Sequence, residues 1–186
     1  RGKGHFCEHA EAYGVSMFGG FAEYCKFPAD RLIPVPAELP DEIAALTEPL
    51  SVAFHANSRA ETKPGDNVLV IGGGPIGLLC ALTARYFGAN VLLSEVKPDR
   101  LALARSIGIE CVDPTQTDLM DVAQARTNGV GFDVILEVTG SQSAYDTMIR
   151  LCRECGTIVP GASPSVARSF QTTLFILKEI RMLGIR

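Results

Sequence analysis

A glycine-rich turn constrains the fold of this chain more than any other feature of its sequence. The apolar run Val68–Ile71 is followed by Gly72-Gly73-Gly74-Pro75-Ile76-Gly77 and then by a helical stretch to Phe87. A pattern with glycine at its first, third and last positions, placed between a strand and a helix, is typical of sheets that bind dinucleotides. The turn therefore predicts a parallel α/β sheet with an anionic ligand at its edge.

Each part of the turn has a physical reason to be there. Gly72 permits the tight turn, Gly74 lets the backbone approach a pyrophosphate, and Gly77 lets the helix and the strand pack closely. Pro75 stands near the first helical position, where its missing N–H costs little. The other N–H groups of the first turn and the helix dipole then face the anion.

Glu95 stands at the end of the next predicted strand, Val91–Leu93. A carboxylate at this position can accept hydrogen bonds from both ribose hydroxyls of an adenosine and repels a 2′-phosphate, which favours NAD over NADP. Ser94, Lys97 and Arg100 lie close by in the sequence and can soften that preference.

From Asn67 onward the sequence repeats a strand-then-helix pattern, which predicts a doubly wound parallel sheet of the Rossmann type. The remaining predicted strands are Phe132–Val138, Gly156–Val159 and Met182–Ile185, and the further helices are Pro98–Ile107 and Ser141–Leu151.

The residues before this repeat are different in character. Phe21–Phe27 alternates like a half-buried strand, and the proline-rich Ile33–Pro40 suits an extended connector. Asp41 can cap a short helix that ends at Leu46, and a second helix from Glu48 can hold Pro49 in its first turn.

Charge and composition exclude several classes of partner. The net charge is −4, so no basic surface for nucleic acid or anionic lipid is expected. The longest apolar stretch is interrupted by the glycine turn and does not predict a membrane span, and no signal peptide is visible. Six scattered cysteines favour a reducing cytoplasm. Cys152 and Cys155 lack the second pair that a zinc site needs, so we expect packing at a helix end.

Several segments together resemble the zinc-dependent medium-chain alcohol dehydrogenases, in particular the sorbitol, butanediol and threonine dehydrogenase branch. They are Gly19–Tyr24, Pro28-Ala29, Glu48–Ala56, the glycine turn and Arg100–Ala104. The resemblance implies an NAD-dependent oxidoreductase that transfers a hydride between a small secondary alcohol or polyol and nicotinamide. It also implies that residues 1–40 are a remnant of a β-rich, GroES-like catalytic domain and that residues 41–186 are a C-terminally truncated NAD-binding domain. Subunits of this family pair through the last strand of that domain, so a homo-oligomer, dimer or tetramer, is expected.

The resemblance also assigns site residues. Those implied for the cofactor are Gly72, Gly74, Pro75, Ile76 and Gly77 at the pyrophosphate, Glu95 and Arg100 at the adenosine, Val138, Thr139 and Gly140 after the fourth strand, and Gly161 and Ala162 near the nicotinamide. Glu48 takes the position of an acidic residue at the catalytic zinc, and Cys7 that of the last cysteine in a structural zinc lobe.

The remaining ligands of the family's catalytic zinc precede this sequence, and only His5, His9 and His55 are present as substitutes. His55 falls about two helical turns after Glu48, although a hydrogen-bonded helix histidine is the favoured interpretation. We therefore expect the chain to bind cofactor and to turn over little or nothing.

Three other interpretations stay open. A zinc-free relative of the quinone-reductase kind is opposed by Glu48-Pro49 and Cys7, which such an enzyme does not need. A non-catalytic module for nucleotide binding or oligomerisation is the second. Flavin enzymes and some methyltransferases use similar glycine turns, but flavoproteins of this type usually open with theirs.

Overall fold

The computed structural model describes residues 4–185, with the side chain of His5 left out, and it divides into two compact units between Ala44 and Ala45. Arg186 lies outside the described residues.

The first unit has little regular structure. It contains single 3-10 turns at Gly4–Phe6 and Ala29–Arg31 and one short helix, α1 (Asp41–Ala44). None of its described residues is buried. Ile33–Pro40 contains neither helix nor strand, as predicted for a connector. Asp41 lies inside the helix instead of capping it, and α1 ends before Leu46.

The predicted strand Phe21–Phe27 is wrong. These residues form no ladder, and the side chains of Phe21 and Tyr24 are fully exposed. A strand needs a partner for its N–H and C=O groups, and alternation in sequence alone cannot supply one. Among the described residues the only bridge of this unit joins Tyr13 and Met17.

The second unit is a six-stranded, all-parallel sheet in the order β3-β2-β1-β4-β5-β6, which confirms the predicted Rossmann-type fold. The strands are β1 (Asn67–Ile71), β2 (Asn90–Ser94), β3 (Cys111–Val112), β4 (Phe132–Glu137), β5 (Cys152–Pro160) and β6 (Arg181–Met182). The helices are α2 (Thr47–Ala60), α3 (Pro75–Tyr86), α4 (Pro98–Ser106), α5 (Leu119–Arg126), α6 (Gln142–Leu151) and α7 (Thr172–Leu177).

Both faces of the sheet are buried, which explains why its inner strands read as continuous apolar runs. In β1, Val68 and Val70 pack into a core with α2, α3 and α4, whereas Leu69 and Ile71 point to the opposite core with α5, α6 and α7. The alternation of β1 between the two cores fixes its register and places its carboxyl end, with the glycine turn, at the edge of the sheet.

Candidate nucleotide-binding site

The site lies where the strand order reverses. β1 and β4 are hydrogen-bonded neighbours, although β2 and β3 separate them along the chain. Ligands of open α/β sheets bind in the crevice at the carboxyl ends of such a pair. Here those ends carry the glycine turn and the turn Val138–Gly140.

Two glycines of the turn are required by the packing of the chain itself. Gly72 has a φ of 111°, and a Cβ on it would lie 2.7 Å from Cγ2 of Thr139. A Cβ on Gly77 would lie 1.8 Å from the carbonyl oxygen of Gly72. Helix α3 therefore approaches the end of β1 as closely as we predicted.

Gly74 is different, because nothing in the chain requires a glycine there. Its φ of −72° suits any residue, and the nearest neighbour of an added Cβ is Nη1 of Arg100 at 3.6 Å. Because Gly74 has no side chain, open space remains in front of helix α3. The N–H groups of Gly74, Ile76 and Gly77 make no hydrogen bond within the described part of the chain, and the first helical bond runs from Leu78 to Gly74 O at 2.9 Å. Free N–H groups, a helix dipole and this room fit a pyrophosphate.

Glu95 follows β2 and turns back over the glycine turn with its side chain 5% exposed. Its Oε2 accepts the N–H of Gly73 at 2.8 Å, and its Oε1 accepts the N–H groups of Val96 at 2.6 Å and Lys97 at 2.9 Å. Burial raises the pKa of Glu95, but these backbone donors and the Arg100 guanidinium together hold it below its ordinary value. The carboxylate is therefore charged at neutral pH.

Arg100, predicted to lie at the adenosine, contacts Glu95. Its Nη1 lies 3.4 Å from Oε2 of Glu95, and its side chain is 40% exposed. That contact is long for a hydrogen bond between charged groups, so the arginine is the weakest of the four donors on the carboxylate. The contact is weak enough for another donor to replace it.

The turn after β4 lies directly beside the glycine turn. The N–H of Val138 donates to Ile71 O at 3.0 Å, which extends the β1–β4 ladder, and Gly140 adopts a φ of 65°. The turn after β5 reaches the same place, because Gly161 N–H donates to Glu137 O at 2.7 Å and a Cβ on Gly140 would lie 3.2 Å from Ala162 Cβ. The structure thus brings the three predicted loops together at one edge.

Sequence reasoning missed two residues of this arrangement. A Cβ on Gly73 would lie 3.0 Å from Cγ of Glu95, so a side chain there would press on the carboxylate. Glu137 is fully buried at the end of β4 and holds the following turn through its side chain. A signal for Glu137 was present, since one acidic residue interrupts the otherwise apolar run Val134–Val138.

The residues predicted for metal belong to no metal-binding group among residues 4–185. Glu48 is exposed in the first turn of α2, and Cys7 is exposed in the first unit. Within residues 4–185 no group of three or more His, Cys, Asp or Glu side chains is placed to hold a metal ion. His9 is exposed and His55 is half-buried, and the side chain of His5 is not among those that the structure describes. Glu48 and Cys7 therefore gather no further metal-binding side chains around them within the described part of the chain.

The cysteine pair after α6 plays a structural part. Cys152 is buried in the core beside α6, and burial raises the pKa of its thiol to about 12, so it stays protonated. Cys155 is exposed. The packing role predicted for the helix end holds for Cys152.

Among the described helices, none is both long and apolar enough to cross a membrane.

Comparison with known proteins agrees with this geometry. Residues 75–186 match the family of zinc-binding dehydrogenases. The L-threonine 3-dehydrogenase of Chelativorans sp. strain BNC1 is 39% identical over 99% of the chain and 54% of its own length. The crystal structure of 2R,3R-butanediol dehydrogenase from Bacillus subtilis superimposes with a TM-score of 0.91 at 32% identity, over 100% of the chain and 54% of that protein.

A third similar protein was solved with a cofactor. It is a zinc-binding dehydrogenase from Sinorhizobium meliloti 1021 bound to NADP, with a TM-score of 0.84 and 30% identity over 97% of the chain and 55% of its own. The chain therefore spans about half the length of the relatives that it matches.

Proposed function

The chain belongs to the zinc-binding dehydrogenase family, and on that premise we propose that it is the cofactor-binding part of an NAD(H)-dependent oxidoreductase. The complete enzyme would transfer a hydride between a secondary alcohol or polyol and nicotinamide. The names of two relatives, L-threonine 3-dehydrogenase and 2R,3R-butanediol dehydrogenase, support a hydroxyl on an internal carbon as the reacting group.

One observation carries the cofactor proposal: the open space at Gly74 lies beside a buried, charged carboxylate. A Cβ on Gly74 would be 3.6 Å from Arg100, whose guanidinium contacts Glu95. A pyrophosphate in that space would put the adjoining ribose within reach of Glu95. The chain therefore offers an anion site and a hydroxyl acceptor side by side, as a dinucleotide requires.

Glu95 supports NAD over NADP. Its four acceptor positions are already engaged, but the Arg100 contact at 3.4 Å is weak enough for ribose hydroxyls to replace it. A 2′-phosphate would instead meet a buried negative charge, with only the half-exposed Arg100 to offset it. Because the Sinorhizobium meliloti relative holds NADP, family membership alone does not choose between the two dinucleotides.

The bound nicotinamide would supply the hydride acceptor or donor, as the cofactor does in this chemistry. The contribution of this chain is to position it. The turn Val138–Gly140 and the pair Gly161 and Ala162 would border the reactive end. Gly161 leaves little room for a larger residue, because a Cβ there would lie 3.2 Å from Cγ1 of Val138.

For zinc we propose that this chain alone holds none and catalyses no turnover, because Glu48 and Cys7 do not join a group of three metal-binding side chains among the described residues. Equilibrium dialysis with zinc tests the first part. Stoichiometric retention of zinc after removal of free metal would contradict it.

For assembly, we propose a homo-oligomer that pairs through the outer edge of β6, and sedimentation velocity at increasing concentration tests this.

Titration of the chain with NADH and NADPH, followed by nicotinamide fluorescence, tests the cofactor proposal. We expect NADH to bind more tightly than NADPH. We expect Glu95→Gln to reduce the difference in affinity between the two dinucleotides. Tighter binding of NADPH would overturn the preference for NAD. Failure of both dinucleotides to bind would overturn the proposed function itself.

A further inference from the structure

The structure contains a buried carboxylate that the proposed function does not use. Glu137 is the last residue of β4, and its side chain is fully inaccessible to solvent. In the sheet it pairs with Ile71 of β1 on one side and with Pro160 of β5 on the other. A carboxylate taken out of water at the centre of a sheet is costly unless its oxygens are hydrogen-bonded.

The two oxygens of Glu137 are used unequally. Oε1 accepts the backbone N–H of Thr139 at 2.7 Å, the N–H of Gly140 at 2.9 Å and the hydroxyl of Thr139. Oε2 is buried and has no hydrogen-bond partner among the described residues. One oxygen atom therefore gathers every donor that the turn offers to this side chain.

The turn that Oε1 holds is the central one of the three loops at the site. On one side the Thr139 side chain packs on Gly72 so closely that a Cβ there would be 2.7 Å from Cγ2 of Thr139. On the other side a Cβ on Gly140 would be 3.2 Å from Ala162 Cβ. A change in the turn would therefore displace both neighbouring loops.

We propose that Glu137 is a positioning residue for the cofactor crevice, acting through a single acceptor oxygen that fixes the turn Val138–Gly140 between the glycine turn and the loop after β5. The inference rests on the proposed function for its link to the dinucleotide. Its structural part, the hold of Oε1 on two backbone amides, does not depend on any ligand.

The unequal use of the oxygens separates two explanations of the role. If one acceptor is sufficient, the negative charge and Oε2 are dispensable, and glutamine keeps the contacts while its amide occupies the place of Oε2. If the charge matters, glutamine fails, because the charge of Glu137 also acts on Tyr145. Arg168 donates from Nε to Gly140 O at 2.6 Å, and burial followed by the charge of Glu137 raises the pKa of Tyr145.

Three variants of the chain test the inference. Glu137→Met keeps the length and volume of the side chain but removes both oxygens, and exchange of a buried charge for an apolar side chain is often tolerated in stability. Glu137→Gln keeps one acceptor. Thr139→Val keeps the methyl group that packs on Gly72 and removes the hydroxyl donor.

Two readouts are measured on each variant: amide hydrogen exchange at Thr139 and Gly140 without ligand, and NADH affinity by calorimetry. In Glu137→Met we expect both amides to exchange about tenfold faster or more, and NADH to bind about tenfold more weakly, as for the loss of one to two net hydrogen bonds. Glu137→Gln should restore both properties to near the wild-type values, and Thr139→Val should fall between. Thermal unfolding of each variant separates these local effects from global destabilisation.

Several results would overturn the inference. If Glu137→Gln exchanges and binds like Glu137→Met, the charge or Oε2 carries the role. If Glu137→Met keeps wild-type exchange, Oε1 does not hold the turn. If exchange accelerates but NADH affinity stays the same, the turn is held but does not position the cofactor. Should Glu137→Met fail to fold, the same comparison is made between Thr139→Val and Glu137→Gln. If the wild-type chain binds no dinucleotide, the proposed function fails, while the exchange measurement still decides the structural part.

Discussion

Replacing Gly77 and Gly74 separately with alanine should divide stability from cofactor binding within one short turn. An alanine Cβ at position 77 would lie 1.8 Å from Gly72 O and 2.9 Å from Gly72 C. Both atoms belong to the backbone at the end of β1, so no side chain can rotate away. An alanine Cβ at position 74 meets nothing nearer than 3.6 Å, at the flexible end of Arg100.

The size of the effect follows from these distances. To restore an ordinary contact of 3.4 Å, α3 must withdraw from Gly72 by about 1.6 Å, which breaks its packing against β1. Overpacking typically costs about 1–3 kcal/mol, and a clash with rigid backbone belongs at the upper end. A loss of about 3 kcal/mol lowers the Tm of a unit of this size by roughly 10 °C. Gly74→Ala should shift it by only about 2 °C, because alanine replaces glycine at an unstrained N-cap.

Scanning calorimetry and NADH titration on the same samples provide the assay. We expect Gly77→Ala to lower the Tm strongly. Gly74→Ala should change the Tm by only about 2 °C and weaken NADH binding about tenfold or more, since its side chain enters the space left for phosphate. A Gly77→Ala variant with the wild-type Tm would refute the packing argument. A Gly74→Ala variant that binds NADH normally would refute the assignment of that space to the cofactor.

Three further predictions concern stability. The pKa of Glu95 lies below its ordinary value of 4.5, so its charged form stabilises the fold above pH 4.5. In urea melts, the advantage of wild type over Glu95→Gln should therefore decline as the pH falls from 4.5 through the lowered pKa of Glu95. Asn57 is buried and donates from Nδ2 to Ala53 O and Cys80 O, so Asn57→Ala should lower the free energy of unfolding by about 1–3 kcal/mol in chemical denaturation. Lys178 donates from Nζ to three carbonyls at the end of α6, so Lys178→Met should cost a similar amount, about 1–3 kcal/mol, and speed amide exchange in the last turn of that helix.

The sheet was predictable where burial on both faces left a continuous apolar run. Val68–Ile71, Val91–Leu93 and Phe132–Val138 all correspond to observed strands, each within one residue of the predicted ends. β3 was missed because two residues carry no periodicity. α5 was missed although Asp118, which accepts the N–H of Met120 at 2.8 Å, marks its start.

Other misses have physical causes of their own. β5 begins at Cys152, four residues before the predicted start at Gly156. The added part contains Cys155, whose φ is 52°, and a shift in the register with β4, and neither is a regular strand feature that a sequence pattern would predict. β6 is Arg181–Met182 instead of Met182–Ile185. α7 (Thr172–Leu177) was not predicted from its six residues.

At the site, sequence spacing predicted the glycine turn and Glu95, because both are local patterns with known chemistry. The role of Gly73 depends on a carboxylate that returns from the next strand, and that of Glu137 depends on two amides ahead of it in a turn. Such contacts are set by three-dimensional proximity, which spacing alone does not give.

The absence of any buried residue in the described part of the first unit has a consequence for the heat of unfolding. Ordering a chain costs conformational entropy that buried surface must offset, and no described residue of this segment is buried. The cooperative unit is then the chain from Ala45 onward, about 140 residues. At about 0.7 kcal/mol per residue near 60 °C, its unfolding should absorb about 100 kcal/mol, whereas the whole chain folding as one unit would absorb about 130 kcal/mol. The transition enthalpy thus measures how much of the polypeptide melts together.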